Sequence, residues 1–556
     1  MATQQASLTI GSYLLDRLAQ LGVDYIFGIP GDYVIRLDKL IEEHSIRFIN
    51  TTRESCSGYA ADAYARFKGL GVACITYGVG LSIANAVALA YVESSPLVIL
   101  SGNAGTEEFK RSHDLHHLIN TSTSLTGDLT QLEIFKNVTI DQGILDDPTQ
   151  AAAIIDRVLL NCLQHKKPVY LEIPRNLVEI PLPPHSTLQP LKWSYPSSDL
   201  ETLAEALNET HKILSACQKP LIWVGPEISR FCLAPALLAF AERCKIPIVS
   251  SLSGKCAVSE HHPLFVGIYQ GKMSTEEIER HFHEADCVLI LGVIQHDLDT
   301  GMFSHKSDHP HHITANAFDL KIGRHKFPDV SLIDYVQGLE KLNLPVFTPT
   351  HISRAAQVSP FIPRPNTPTT TQRVFECLQS HLSSEHILIA DTGDCLFGSS
   401  DLILYQDSFI ASSYFASLGF AVPAAIGTQF ANPQKRAVII AGDGGFQMTA
   451  TELSTAVRYG LDPVVIVLNN HGYGTERPLL EGSYNDIQNW DYTKIPELIR
   501  GGKGARATTE EELSILLNEA FSQRGSLYLV EVELDKLDFS PALKRLGEML
   551  GKIVKS

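Results

Sequence analysis

Apolar residues along this chain fall into short unbroken runs, each closed by glycine or proline. They alternate with stretches where apolar positions recur every three or four residues. In residues 1–185, "YIFGIPG", "GVACITYG", "PLVILSG" and "KPVYLEIP" read as strands, and "SCSGYAADAYARFKG" and "SIANAVALAYVES" as the helices between them. Strands without polar alternation are covered on both faces, so the pattern predicts a parallel sheet with crossover helices. Residues 190–345 repeat the style with "KPLIWVG", "IPIVSS", "CVLILG" and "HHITANA". Residues 346–372 contain "FTPTHISRAAQVSPFIPRPNTPTTTQ", rich in Pro and Thr with little periodicity, and read as a linker. Residues 373–556 resume with "HILIADTG", "RAVIIAGDGG", "DPVVIVLNN" and "LYLVEVEL". The expected fold class is α/β, with three doubly wound parallel-sheet domains.

The length of 556 residues agrees with about three cores. Against 45 Lys and Arg stand 62 Asp and Glu, a net charge of −17. No basic surplus exists to meet nucleic-acid phosphates. No apolar stretch reaches the roughly 18 residues of a membrane span, and "MATQQASLTIGSYLLDRLAQ" lacks the pattern of a signal peptide. The ten cysteines are scattered, without a C-x-x-C pair, as expected of single thiols in a reducing compartment. The expected location is cytoplasmic.

The densest chemistry lies in Gly442–Asn470, "GDGGFQMTATELSTAVRYGLDPVVIVLNN". "RAVIIA" is a strand, "GDGGF" its carboxyl end, "QMTATELSTAVRYG" a helix stopped by Gly460, and "PVVIVLNN" the next strand. Ligands of such sheets bind at the carboxyl ends of the strands, so Asp443 and Asn470 should lie side by side there. Gly442, Gly444 and Gly445 let the backbone approach a ligand, and the following helix start offers N–H groups to an anion such as a diphosphate. A carboxylate beside a diphosphate calls for a hard cation between them. Mg²⁺ takes oxygen ligands, and Asp443, Asn470 and a carbonyl of "NHG", at Gly472, supply them. Two tight turns are the plainer alternative for a bare Gly-Asp-Gly and Asn-Asn.

The "GDG", followed after 24 residues by "NN", resembles the thiamine diphosphate signature of the 2-oxo acid decarboxylases. The wider likeness is to the pyruvate and indolepyruvate decarboxylases. In order along the chain it includes "GIPGD" (28–32), "ESCSGYAADAYARFKG" (54–69), "GVG" (78–80), "LHH" (115–117), "KPVYLEIP" (167–174), "GKCAVSEHHPLFVGIYQG" (254–271), "DTGD" (391–394) and "NNHGYGTE" (469–476). The resemblance implies an N-terminal pyrimidine-binding domain, a middle domain without cofactor, and a C-terminal domain for diphosphate and Mg²⁺. It also implies a homodimer or homotetramer with active sites at the subunit interface. The reaction implied is non-oxidative decarboxylation of a small-molecule 2-oxo acid to an aldehyde and CO₂, with a thiamine diphosphate ylid as the electron sink.

By the same resemblance, Glu54 bonds the pyrimidine and activates the cofactor, and Asp32, His116, His117 and Glu476 carry the later proton transfers. Each has a plainer alternative: a helix-start acid for Glu54, a turn residue for Asp32, half-exposed helix-start histidines for the pair. Adjacent histidines are not read as a metal site, since consecutive side chains rarely point at one ion. Leu418, in "YFASLGFAVP", takes the place of the apolar wedge under the cofactor, with Ala416 and Leu418 offering backbone bonds. Thr392 and Asp394 of "DTGD" join the cofactor-binding set.

The chain departs from the pattern in places. "GVGLSIANA" is one residue short and lacks a glutamate-like position. Leu396 stands where bacterial pyruvate decarboxylases carry Trp and indolepyruvate decarboxylases Ala. Leu298 replaces a common aromatic, and Thr475 a common Ile or Val. These three predict an aliphatic-lined pocket for branched, medium linear or phenyl-bearing 2-oxo acids larger than pyruvate. "GPEISRF" (225–231) lacks the cysteine linked to substrate activation, so hyperbolic kinetics are expected. The rival reading is a carboligase of the acetolactate-synthase type. No G-x-G-x-x-G follows a predicted strand, which leaves a nucleotide-linked oxidoreductase little support.

Overall fold

The computed structural model describes residues 8–108, 114–120, 128–184, 186–305, 311–348 and 358–554. The chain packs as two compact units. One holds residues up to Tyr195 together with Pro423–Pro433 and Thr451–Thr455; the other holds Pro196–Val422, Gln434–Ala450 and the chain from Ala456 onward.

The first unit is built on a six-stranded sheet. Its strands are β1 (Tyr25–Gly28), β2 (Arg47–Asn50), β3 (Gly71–Ile75), β4 (Leu97–Asn103), β5 (Asp141–Ile144) and β6 (Val169–Pro174), in the order 2-1-3-4-6-5, all parallel. β3, β4 and β6 are buried along their whole length, the signature of strands covered on both faces. Helix Glu54–Lys68 follows β2 and ends on Gly69 in the left-handed region (φ 87°). Ser55 to Ala65 are all buried, so its Ala, Gly and Ser positions serve close packing on every side. One neighbour is the Pro423–Pro433 segment: a Cβ on Gly427 would lie 1.8 Å from the Ala60 carbonyl oxygen.

The second unit carries two sheets. The first has β7 (Pro220–Val224), β8 (Ile248–Ser250), β9 (Phe265–Ile268), β10 (Cys287–Leu291), β11 (His312–Asn316), β12 (Asp319–Ile322) and β13 (His325–Phe327), in the order 13-12-11-10-7-8-9. The sheet is parallel except at β12, which pairs antiparallel with both β11 and β13. Each of the two connections is two residues long, enough for a hairpin and too short for a crossover helix. The other sheet has β14 (His386–Ala390), β15 (Phe409–Ala411), β16 (Arg436–Gly442), β17 (Val464–Asn469), β18 (Lys503–Ala507) and β19 (Tyr528–Glu533), all parallel in the order 15-14-16-17-19-18. A buried ion pair joins the loop after β8 to Leu402 and Leu404. Lys255 Nζ lies 2.8 Å from both Glu260 oxygens and from the Leu402 carbonyl, and Glu260 accepts the Leu404 N–H at 2.8 Å.

Of the linker read at 346–372, residues 349–357 lie outside those described, and helix Thr371–Gln379 starts inside the reading's boundary. Among the described residues, no helix is long and apolar enough to cross a membrane.

Candidate active site

β16 and β17 are neighbours in register, Gly442 opposite Leu468, so Asp443 and Asn470 leave adjacent strand ends, as the sequence predicts. The helix after β16 differs from its reading. It begins at Asp443 itself, runs to Thr449, tightens into a 3₁₀ turn at Ala450–Glu452, and resumes at Leu453–Arg458. Side chains at the break bond elsewhere: the Thr449 hydroxyl donates to the Gly419 carbonyl (2.9 Å), and Glu452 accepts from Thr52. Such long-range partners leave no local pattern in the sequence.

A cavity of about 300 Å³ opens above these strand ends. Its walls include Gly442, Gly444, Gly445, Asn470 and Gly472 of the glycine-rich ends, and Thr392 and Asp394 after β14. Ala416 and Leu418 form another side, and Leu298, Thr475 and Glu476 complete the set expected from sequence. Asp443 and Leu396, both fully buried, are absent from the wall; Cys395 and Phe397 stand on the wall beside Leu396. On the helix Asp394–Ser399 its neighbours in sequence face the cavity, so Leu396 is turned into the core.

Asp443 has no exposed surface; its oxygens accept the N–H groups of Gly444 (2.9 Å) and Gly472 (2.9 Å). Burial pushes its pKa up to about 7 against these bonds. One atom of the Asn470 amide group lies 3.2 Å from Asp443 Oδ1 and 2.9 Å from the Gly472 carbonyl oxygen. With nitrogen there, the amide donates to both. With oxygen there, three acceptors converge with no proton between them, the donor set of a hard divalent cation. The Thr392 hydroxyl is buried in the same cavity without a hydrogen-bond partner among the described residues.

Leu418 sits between two residues in the left-handed region, Ala416 (φ 56°) and Gly419 (φ 80°). Left-handed alanine is strained and persists only where its surroundings hold it. Beside Ala416 the Ser417 N–H donates to the Ser412 hydroxyl (3.0 Å), and Asp391 holds the other end of the segment: Oδ1 accepts the N–H of Thr392 (2.9 Å) and Gly419 (3.0 Å), and Oδ2 that of Ala421 (3.0 Å). Burial raises this carboxyl to about 6. Asp391 opens the "DTGD" segment, yet no role follows from sequence, because its partners lie about 30 residues on.

The Asp394 carboxylate is committed elsewhere. It accepts from the Ser540 N–H (2.8 Å) and hydroxyl, and Ser540 in turn caps helix Pro541–Val554 through the Leu543 N–H (3.0 Å). Both oxygens of a residue in the cavity wall are thus engaged by the start of the last helix. Arg545 fastens the same helix to Asp401 (3.0 and 3.1 Å) and to the Met273 carbonyl (2.9 Å), and Leu546 joins the cavity wall. Buried Arg477 secures the loop after Asn470 through Asp486 (2.7 Å) and Glu481 (2.6 Å) and leaves adjacent Glu476 exposed at the cavity.

The first unit gathers the remaining candidates on the carboxyl ends of its strands. Glu54 starts the helix after β2, and Ser82 donates to its Oε2 at 2.6 Å. Ser82 belongs to the shortened "GVGLSIANA", so that segment keeps a contact with Glu54. Asp32, after β1, meets both histidines: His116 Nε2 lies 3.0 Å from Oδ2 and His117 Nε2 3.9 Å from Oδ1. Although the two histidines are adjacent in sequence, both rings approach the same carboxylate. His117 adopts a left-handed backbone (φ 68°), which turns both imidazoles toward one carboxylate.

Three domain patterns match in order: the N-terminal binding domain of thiamine pyrophosphate enzymes over residues 8–124, their central domain over 207–349, and their C-terminal binding domain over 391–532. The indole-3-pyruvate decarboxylase of Azospirillum brasilense is 34% identical over 548 residues, 97% of each chain. Pyruvate decarboxylase 2 of Arabidopsis thaliana is 32% identical, covering 97% of this chain and 90% of its own. The alpha-keto-acid decarboxylase of Mycobacterium bovis is 31% identical, covering 98% and 97%. With two binding-domain patterns laid over the two groups of site residues, and likeness along the whole length, the chain belongs to the thiamine diphosphate-dependent 2-oxo acid decarboxylase family.

Proposed function

We propose that this protein decarboxylates a 2-oxo acid without oxidation, releasing CO₂ and an aldehyde, with thiamine diphosphate held through Mg²⁺. The observation that carries the reading is the convergence of Asp443 Oδ1, Asn470 and the Gly472 carbonyl. Oxygens bound at about 2.1 Å in an octahedron stand about 3 Å apart along its edges. The separations here are 3.2 and 2.9 Å. The cation would order the Asn470 amide oxygen-inward and keep Asp443 ionised despite its burial. The unpartnered Thr392 hydroxyl and the first-turn N–H groups after Gly444 suit the diphosphate.

When bound, the cofactor supplies a carbon nucleophile and an electron sink for the leaving carboxylate's electrons. The chain's own residues bind, orient and move protons. Glu54, steadied by Ser82, bonds the pyrimidine ring. Leu418 would be the apolar support for the bound cofactor, and Asp391 keeps the residues after it in place. Asp32, His116 and His117 form one cluster of titratable groups, and with Glu476 they would supply the protons the reaction needs once substrate and cofactor are bound. Glu54 and the metal-binding residues lie in different units, which suits a homodimer or larger homo-oligomer whose sites draw on two subunits.

Leu298, Phe397, Leu479 and Leu546 give the cavity an aliphatic and phenyl lining, with Thr475 as a polar element. The proposed substrates carry side chains larger than that of pyruvate. The test is aldehyde release in a coupled alcohol dehydrogenase assay, with and without thiamine diphosphate and Mg²⁺. The panel is pyruvate, 2-oxoisovalerate, 4-methyl-2-oxopentanoate, phenylpyruvate and indolepyruvate. Cofactor-dependent aldehyde, with pyruvate a poor substrate by kcat/KM, is expected. Pyruvate as the best substrate overturns the pocket assignment. Two-substrate condensation products without aldehyde overturn the reaction in favour of a carboligase.

A further inference from the structure

The cluster of Asp32, His116 and His117 has a second chemical capacity. The ligand atoms of all three side chains lie within 4.8 Å of one another, a separation that isolated hydrogen bonding does not require. A zinc ion with ligands at about 2.0–2.1 Å needs donor atoms about 3.3 Å apart around a tetrahedron. His116 Nε2 and Asp32 Oδ2 stand at 3.0 Å, and His117 Nε2 and Asp32 Oδ1 at 3.9 Å, on either side of that value. Closing the set takes side-chain rotation, because the backbone already aims all three inward. His117 is held left-handed, its carbonyl packed so tightly on Gly78 that a Cβ there would stand 2.0 Å from the oxygen. The Tyr33 hydroxyl donates to the His116 carbonyl at 2.8 Å.

Charge and access are compatible with a cation. The Asp32 and His116 side chains are 42% and 63% exposed, so an ion enters from solvent. Arg175 Nη1 is 3.5 Å from Asp32 Oδ2 and opposes a cation, but Arg175 is also paired with Glu108, through Nε at 3.1 Å and through Nη2. Asp32, Glu108 and Arg175 together sum to one negative charge. Two imidazoles and a carboxylate select borderline ions such as Zn²⁺ over Mg²⁺, which prefers an all-oxygen shell.

We propose that Asp32, His116 and His117 form a second metal site, specific for Zn²⁺-like divalent ions, with a fourth position open to water. An ion there takes the imidazole lone pairs needed for proton transfer, so occupancy silences the cluster. Metal binding here does not depend on the decarboxylase reading; the silencing rests on it.

The test uses the full chain, saturated with thiamine diphosphate and excess Mg²⁺, titrated with Co²⁺ as a visible-absorbing probe and then competed with Zn²⁺. One Co²⁺ per chain with intense tetrahedral-type bands is expected, undiminished by further Mg²⁺ and displaced by Zn²⁺. Asp32→Asn and His117→Gln should each weaken binding at least tenfold, while Arg175→Gln, which removes the opposing charge, should tighten it. All three positions are solvent-accessible, and far-ultraviolet circular dichroism checks folding. Bands that Mg²⁺ abolishes place the ion at Asp443 and Asn470 instead. Bands unaffected by Asp32→Asn and His117→Gln, or no binding at all, equally overturn the proposal.

Discussion

Asp391→Asn should separate global stability from cofactor binding. The wild-type carboxylate is fully buried and serves three backbone donors with two oxygens. An amide keeps one acceptor oxygen. Turned toward Thr392 and Gly419, it sets its NH₂ against the Ala421 N–H, donor facing donor. Loss of that charge-assisted bond costs about 2 kcal/mol, felt by the turn that presents Leu418. The opposing effect is electrostatic. Burial raises the carboxyl from 3.8 to about 6. Roughly two units correspond to about 3 kcal/mol spent in keeping the group ionised at neutral pH, a cost the amide avoids. The sign follows from the raised value. Stability from Asp391 is fully present below about pH 3.8 and is lost as pH rises through about 6, a dependence that Asn abolishes. The two effects offset each other in global unfolding but not in cofactor binding. The variant should therefore unfold in urea near or above the wild-type midpoint, while its thiamine diphosphate Kd, from fluorescence quenching in saturating Mg²⁺, rises about 30-fold. A Kd within threefold of wild type refutes the positioning role. Equal losses in affinity and stability refute the electrostatic reasoning.

Other substitutions probe separate links. Glu54→Gln should lower aldehyde release by about 10²-fold or more while diphosphate-dependent quenching persists, since Glu54 is absent from the diphosphate cavity. Lys255→Met strands a fully buried Glu260 and should cost about 3–5 kcal/mol in urea unfolding; the pair Lys255→Met with Glu260→Leu should recover much of it. Burial lifts Asp38 to about 7, so its stabilising contribution is complete below about pH 4 and disappears as pH rises through about 7. Asp38→Asn should flatten the dependence of Tm on pH between about 5 and 8; an unchanged slope would show the group is not the one titrating.

Local pattern alone specified the strands that matter most. "RAVIIA" and "PVVIVL" are uninterrupted and rich in β-branched residues, so burial on both faces was legible, and with it the meeting of Asp443 and Asn470 at neighbouring strand ends. The glycines around Asp443 announced close approach, because a missing Cβ has meaning before its neighbours are known. What the sequence left open depends on partners far along the chain. Asp391 looks like any turn aspartate until Gly419 and Ala421 are brought to it, and Asp394 looks like a cofactor ligand until Ser540 claims its carboxylate. Position in a motif points Leu396 toward the substrate, but the short helix Asp394–Ser399 turns Cys395 and Phe397 to the cavity instead. The histidine pair is the clearest case: residue type fixed its proton chemistry, whereas one left-handed backbone angle, imposed by packing against Gly78, decided that both rings face Asp32. Periodicity records burial, which is a local demand on each residue. Side-chain direction and hydrogen-bond partnership are settled only when distant segments compete for the same donors and the same space.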